Sequence, residues 1–329
     1  MKIIFFLVLI LSLAVFPQQQ LVNIGDFTTE NGGIITNCQI GFRTFGFVNS
    51  DSSNVVLYLS WFGGTSEQLS KALGKDNLID STKYFVITID ALGNGISSSP
   101  SNYQGEFPDI SIRDMVVSQK KMLDQIGIKK VHAIVGGSMG SMQVFEWLIT
   151  YPSFMNKVVP YVSSPKLSTY DLLLMNWQKQ IIETGWKHGA SDIEIATSIN
   201  MFTAAFGRTP EKVNEMINID STEKYIGSMR RDLSKTFTIK NYYSQLKAMM
   251  TNDISRHFNN SFTDAANAIK ADIHIIVSAT DLLINPKSSI ELVKLLNCEL
   301  TILENNCGHL APGCELKRTS RIISEFLEN

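Results

Sequence analysis

The 329-residue sequence lacks a strongly basic segment: 29 lysines and arginines stand against 31 aspartates and glutamates, for a formal net charge of −2. Neither nucleic acid nor an anionic membrane surface is therefore expected as a partner, because both are bound through clustered positive charge. Cysteine is scarce, and no C-x-x-C spacing suggests structural zinc. No cofactor motif is complete either, since Gly93-Asn94-Gly95 lacks the remainder of G-x-G-x-x-G. We expect neither a metal nor a cofactor.

Long apolar runs are also absent, except at the N-terminus, where Lys2 precedes the run Ile3 to Phe16. This run is shorter than the roughly 20 residues that a membrane-spanning helix needs. A positive start, an apolar stretch and small residues in Ser12-Leu13-Ala14 are typical of a secretory signal peptide. We predict that residues 1–16 form a signal peptide and that the protein is exported without a stable membrane anchor. An uncleaved anchor and a buried N-terminal helix are the alternatives.

Export changes how the four cysteines are interpreted, because an oxidising compartment permits disulfides. They allow three pairings, among which the sequence does not choose: Cys38, Cys298, Cys307 and Cys314. Cys307 and Cys314 closely bracket His309, so a local bridge between them would stiffen that loop. Buried free thiols are the alternative.

Short runs rich in valine and isoleucine alternate with helical patterns, which is typical of a mostly parallel sheet with crossover helices. Residues 33–47 are predicted to form an antiparallel hairpin or meander. The predicted core strands are Val55–Trp61, Tyr84–Asp90, Val131–Val135, Lys157–Val162, Ile273–Ser278 and Glu299–Leu303. The predicted helices are 112–125 after a Ser111 cap, Met139–Thr150, Lys287–Leu296 after Asn285-Pro286, and about Glu315–Leu327.

Between about residues 167 and 265 the pattern contains helix signals and no convincing strand. Ser191-Asp192-Ile193-Glu194 is a capping box, and Thr209-Pro210 is a cap followed by proline. We therefore predict an α/β core formed by residues 17–166 and 266–329, with residues 167–265 inserted as a helical lid.

Gly136-Gly137-Ser138-Met139-Gly140 matches G-x-S-x-G between a predicted strand and a predicted helix. Such a sharp turn exposes a serine hydroxyl at the carboxyl end of the sheet and at the start of a helix, whose dipole favours developing negative charge. Ser138 is accordingly the predicted nucleophile. A chance match in a glycine-rich turn is the alternative.

A serine needs a base, and five histidines are available. His309 is the one that lies in a loop directly after the last predicted strand, where the chain order Ser–Asp–His places the base. Asp281 follows the preceding strand and would orient the imidazole. The alternative role for Asp281 is to cap a helix. The alternative triad acid is Glu304, but it follows the wrong strand. The oxyanion is assigned to the backbone amides of Met139 and Phe62, the latter in the turn Phe62-Gly63-Gly64-Thr65.

The serine segment, continued through Ser141-Met142-Gln143 to Glu146-Trp147, closely resembles that of the homoserine O-acetyltransferases. Further matches are Phe42-Arg43-Thr44-Phe45-Gly46, Lys83-Tyr84-Phe85-Val86-Ile87, Phe107-Pro108, Ile112-Arg113-Asp114-Met115-Val116, Ala279-Thr280-Asp281 and Cys307-Gly308-His309. The resemblance implies an α/β-hydrolase fold, a helical lid and a ping-pong mechanism through an acyl-serine.

Two positions depart from that family: Ser141 replaces a usual glycine, and Leu310 replaces the aspartate that usually follows the histidine. The helical region lacks a convincing counterpart of the family's arginine-containing substrate segment. Arg208, Arg230 and Arg231 are candidate carboxylate binders, and solvated helix-face charges are the simpler alternative. The sequence therefore favours an esterase-like hydrolase acting on a small acyl ester or thioester. An O-acyltransferase that uses acetyl-CoA and homoserine or a related hydroxyl acceptor is the second hypothesis, and a silent binding module the third. A monomer and a dimer both fit the sequence.

Overall fold

The computed structural model describes residues 17–231, 233 and 236–329, so the predicted signal peptide lies outside the described residues. The strands are β1 Gln20–Asn23, β2 Phe27–Thr28, β3 Ile34–Ile35, β4 Gln39–Phe45, β5 Val55–Leu59, β6 Phe85–Ile89, β7 Val131–Gly137, β8 Met155–Tyr161, β9 Asp272–Ser278 and β10 Glu299–Leu303. The helices are α1 Ser66–Ser70, α2 Ile112–Gln125, α3 Met139–Thr150, α4 Thr169–Lys187, α5 Asp192–Phe206, α6 Pro210–Met216, α7 Thr222–Ser228, α8 Ile239–Met249, α9 Phe262–Asn267, α10 Lys287–Leu296, α11 Ala311–Cys314 and α12 Leu316–Glu328.

Eight of these strands form one sheet in the order β1-β4-β6-β5-β7-β8-β9-β10. The six strands from β6 to β10 in this order run parallel to one another, which confirms the mostly parallel sheet. The six predicted core strands are all present, and their ends differ from the prediction by at most two residues.

The prediction that residues 33–47 form an antiparallel hairpin or meander is wrong, because β3 and β4 pair antiparallel with other strands and not with each other. β4 pairs antiparallel with β1, which lies upstream, and with β6 of the core. β3 pairs with β2, also upstream, in a separate small sheet. Both partners are short and partly exposed, so they carry little of the hydrophobic pattern from which strands are predicted.

Both faces of the central sheet are buried, because helices cover each side. In β5, Val55, Leu57 and Leu59 point into one core cluster, and Val56 and Tyr58 into another. All five side chains are buried, which explains why the strand is apolar at every position instead of alternating.

The helix ends follow the predicted chemistry. Ser111 and Asp114 form a reciprocal capping box at the start of α2. Thr209 caps α6 through the Lys212 amide, with Pro210 at the first turn. α10 spans Lys287–Leu296 as predicted, but Pro286 occupies the N-cap position instead of Asn285, whose side chain accepts from the Lys287 amide at 2.9 Å.

The interval between β8 and β9 contains α4 to α9, which we call the helical insertion. Helix α8 packs against α4 and α5 within it. Within the part of the chain that the structure describes, no helix is both long enough and apolar enough to cross a bilayer.

Candidate active site

Ser138 occupies the turn between β7 and α3 with φ 54° and ψ −124°, a conformation that non-glycine residues rarely adopt. The turn is possible because its flanking glycines allow close backbone contacts. A Cβ on Gly136 would lie 2.5 Å from the Gly140 carbonyl oxygen, and a Cβ on Gly140 would lie 2.5 Å from that of Leu59. The strain is stored where a hydroxyl is held out of the sheet, as is common at functional sites.

The structure brings the three predicted triad residues into one hydrogen-bonded series. His309 Nε2 lies 2.8 Å from Ser138 Oγ, and His309 Nδ1 lies 2.7 Å from Asp281 Oδ2. The other carboxylate oxygen of Asp281 accepts from the amides of Leu283 and Ile284 at 2.8 and 3.0 Å. Asp281 is therefore fixed by backbone amides on one side while it orients the imidazole on the other.

The electrostatics of the series favour a proton on His309. Burial alone would lower the pKa of His309, but the negative charge of Asp281 and the hydrogen bond to it outweigh burial and raise that pKa. The side chain of Asp281 is only 2% exposed and that of His309 10%, so water screens this interaction weakly. An imidazolium formed during catalysis would be stabilised in place.

The competing side chains lie elsewhere. His132 binds the Leu327 carbonyl, and His274 contacts Glu299 on the neighbouring strand. His188 and His257 are exposed on or near the helical insertion. Glu304, the alternative acid, is exposed after β10.

The two predicted oxyanion donors lie beside the nucleophile. Met139 is the first residue of α3, a position whose amide has no partner within its own helix. Phe62 lies in the turn after β5 and lines the same cavity as Ser138. Its amide donates to no acceptor among the described residues. Both amides therefore lie near Ser138 without an acceptor among the described residues, and their role as oxyanion donors stays a prediction.

Ser138 and His309 open into a cavity of about 640 Å³ whose walls are mostly apolar. The prediction from sequence did not identify these wall residues: Trp61, Tyr161, Val162, Leu283, Leu310 and Pro312. Tyr161 bonds to the Tyr58 hydroxyl at 2.9 Å, and burial raises the pKa of Tyr161 to about 12, so its hydroxyl stays neutral. Its placement beside Ser138 depends on β8 pairing with β7, which no local pattern reveals.

Arg208 also lines the cavity, just before the α6 cap. The neighbouring Thr209 hydroxyl donates to the Asn306 carbonyl at 2.8 Å, which ties this corner to the loop of His309. Arg208 has no carboxylate partner among the described residues. Of the three candidate arginines, Arg208 is the one in the cavity wall, where a cation can meet a substrate.

The loop of His309 is closed by a disulfide between Cys307 and Cys314. Cys38 and Cys298 are free, so the structure selects one local bridge and two thiols from the alternatives that the sequence left open. Cys307 is buried and Cys314 lines the cavity, so the bridge forms part of the wall next to the base.

Opening this bridge should loosen the base. In the double variant Cys307→Ser, Cys314→Ser we expect a loss of about 2 kcal/mol in unfolding free energy, as for a short closed loop. We also expect kcat to fall severalfold, because His309 lies within the loop. A reductant should have the same two effects on the unmodified protein. The control variant Cys298→Ser, which keeps the bridge, should respond to the reductant as the unmodified protein does. Unchanged thermal unfolding and activity after verified reduction would contradict this prediction.

Within residues 17–231, 233 and 236–329, no three histidine, cysteine, aspartate or glutamate side chains are grouped so that they could hold a metal ion. The site is thus a serine, histidine and aspartate series with adjacent amide donors, placed at the carboxyl ends of parallel strands.

The fold and site define a serine-nucleophile enzyme, and a family model described as the alpha/beta hydrolase fold matches residues 54–312; the chain belongs to this family. It is 28% identical to a probable esterase of Corynebacterium glutamicum, covering 88% of each chain. It is also 28% identical to a homoserine O-acetyltransferase of Trichormus variabilis, covering 92% of each. A crystal structure of an acetylester hydrolase from Corynebacterium glutamicum superposes with a TM-score of 0.85 at 25% identity, covering 95% of this chain and 96% of that one.

Proposed function

We propose that the protein is an exported serine esterase that hydrolyses small, short-chain acyl esters through an acyl-Ser138 intermediate. The observation that carries the proposal is the hydrogen-bonded series from Ser138 through His309 to Asp281, at the wall of a mostly apolar cavity. The sequence of residues 1–16 and the Cys307–Cys314 bridge support export. N-terminal sequencing of the protein recovered from the culture medium tests that part.

Each step has a residue in position. Ser138 Oγ attacks the ester carbonyl while His309 Nε2 takes its proton, and the amides of Phe62 and Met139 bind the oxyanion. The intermediate then collapses, breaks the bond to the alcohol oxygen, and His309 returns the proton to that oxygen. A water molecule, deprotonated by His309, then attacks the acyl-serine carbonyl. This second intermediate collapses and breaks the bond to Ser138 Oγ, which takes the proton back from His309 as the acid is released.

Two observations support a small ester as the substrate. The cavity of about 640 Å³ is mostly apolar, which suits an uncharged acyl group and alcohol more than a highly charged nucleotide. A similar curated protein is named as a probable esterase, and a similar solved structure is named as an acetylester hydrolase. Leu310, beside His309 in the cavity wall, adds an apolar surface where the acetyltransferases usually carry an aspartate.

A second candidate function, O-acyl transfer to a hydroxyl acceptor that bears a carboxylate, is favoured by one observation. Arg208 presents a cation without a carboxylate partner to the same cavity. A guanidinium is well suited to bind a carboxylate with two parallel hydrogen bonds. One of the similar proteins is named as a homoserine O-acetyltransferase.

The fate of the acyl group separates the two candidates. The purified protein is incubated with p-nitrophenyl acetate, with and without homoserine, and separately with acetyl-CoA plus homoserine; Ser138→Ala provides the blank. We expect acetate as the product, no O-acetylhomoserine and little release of CoA. Rapid, homoserine-dependent release of CoA would replace the esterase proposal with acyl transfer.

A further inference from the structure

Gln245 links the helical insertion to the turn that carries the predicted oxyanion donor Phe62. It lies on α8 and is completely buried. Its side-chain oxygen Oε1 accepts from the Gly63 amide at 2.9 Å, and its Nε2 donates to the Leu92 carbonyl at 2.8 Å. One side chain therefore joins the loops that follow β5 and β6.

The other contacts of this turn show how its backbone is fixed. Asn94 Nδ2 donates to the Gly64 carbonyl at 2.9 Å from the loop after β6. The Phe62 ring packs against the Tyr242 ring, three residues before Gln245 on α8, at a centroid distance of 4.4 Å. The hydrogen bond from Gly63 to Gln245 is thus a polar contact that connects this turn to the insertion.

From this arrangement we infer that Gln245 is a positioning residue for the oxyanion hole, an inference that rests on the proposed function. Gly63 adopts φ 68°, and its amide follows Phe62 directly in the chain. The Gly63 amide belongs to the peptide between Phe62 and Gly63, which directly follows the peptide that carries the Phe62 amide. Holding it restrains the backbone of Phe62 and, with it, the direction in which the Phe62 amide points. Displacement of α8 would move the donor, so an intact oxyanion hole requires the insertion to be seated on the core.

Loss of this hydrogen bond should affect the transition state more than the bound ester. An oxyanion donor must lie about 3 Å from where the charged oxygen forms, and removing one donor outright typically costs about 10²–10³ in kcat. A displaced donor should cost less. We expect Gln245→Met to lower kcat about 10- to 100-fold and to leave KM within about threefold.

A matched control is Gln178→Met. Gln178 is also a buried glutamine of the insertion, on α4. It bonds to the Leu174 carbonyl and the Tyr242 hydroxyl, so it reaches the turn only through the Tyr242 ring and not through a backbone amide. The same substitution there should lower the thermal unfolding temperature but leave kcat within about threefold. Gln245→Glu keeps the length and an oxygen facing the Gly63 amide, so it should recover at least threefold of the activity lost in Gln245→Met.

The deciding measurement is the inhibition constant of butylboronic acid, which forms a tetrahedral adduct with the serine and places an oxygen in the oxyanion hole. Across the Gln245 variants it should rise by the same factor by which kcat/KM falls. The inference is overturned if Gln245→Met stays within threefold of the unmodified enzyme, if Gln178→Met loses as much, or if the inhibition constant does not follow kcat/KM. Should Gln245→Met not fold, Gln245→Leu, which also lacks the oxygen that accepts from the Gly63 amide, provides the same comparison. Esterase activity retained in Ser138→Ala would instead refute the proposed function itself, and this inference with it.

Discussion

Replacing Ser138 by alanine is expected to lower kcat for p-nitrophenyl acetate by about 10⁵–10⁶-fold, because removal of the nucleophile of a triad abolishes the acyl-enzyme pathway. The remaining activity would come from substrate binding and the amide donors. Ser138 Oγ contacts His309, so the substitution removes one hydrogen bond while leaving the strained turn in place. Mass spectrometry after treatment with an organophosphonate should locate the adduct on Ser138 in the unmodified protein and find none in the variant.

Ser141 provides the matched control for this experiment. It lies on the same turn of α3, is completely buried, and its hydroxyl has no hydrogen-bond partner among the described residues. Ser141→Ala should therefore keep kcat within about threefold and should not lower stability, since it removes an unsatisfied polar group. A large loss in Ser141→Ala, or activity within tenfold of the unmodified enzyme in Ser138→Ala, would contradict the assignment of the nucleophile.

The central sheet and the serine turn could be predicted because their signals are local. The strands buried on both faces read as apolar runs, and the capping serine and threonine residues sit next to the helices they begin. Chain order then placed Asp281 and His309 after successive strands, and parallel pairing brings such strand ends together. The structure unites all three side chains as that order implied.

The cavity wall could not be predicted, because it depends on contacts between distant segments. Arg208 and Ser138 lie 70 residues apart (208 − 138 = 70), and Arg208 reaches the cavity because the α5–α6 corner is tied to the loop of His309. Gln245 carries no sequence motif, and its role becomes visible only through its bonds to Gly63 and Leu92. β1 was missed for a different reason: four partly exposed residues give no periodic signal.

Asp281→Asn is expected to lower kcat about 10⁴-fold, the effect of this substitution in the serine protease triad. The asparagine oxygen can still accept from the amides of Leu283 and Ile284, which turns its NH₂ group towards His309 Nδ1. His309 Nδ1 must then accept a hydrogen bond from this NH₂ group. The proton of the neutral imidazole therefore lies on Nε2, which cannot take a proton from Ser138. The fold should survive, since the backbone contacts are kept.

The pH profile of the same variant tests the electrostatics. Activity requires neutral His309, so the acidic limb of kcat/KM falls at the pKa of His309, which Asp281 raises. Without the charge of Asp281, burial remains and lowers the pKa of His309. The acidic limb of the kcat/KM profile of Asp281→Asn should therefore move to lower pH, while the plateau value of kcat/KM falls. Glu304→Gln removes an exposed acid near the same loop and should change neither the limb nor the plateau. A limb that moves to higher pH in Asp281→Asn, or a loss of less than tenfold, would show that Asp281 does not orient and charge-stabilise the base.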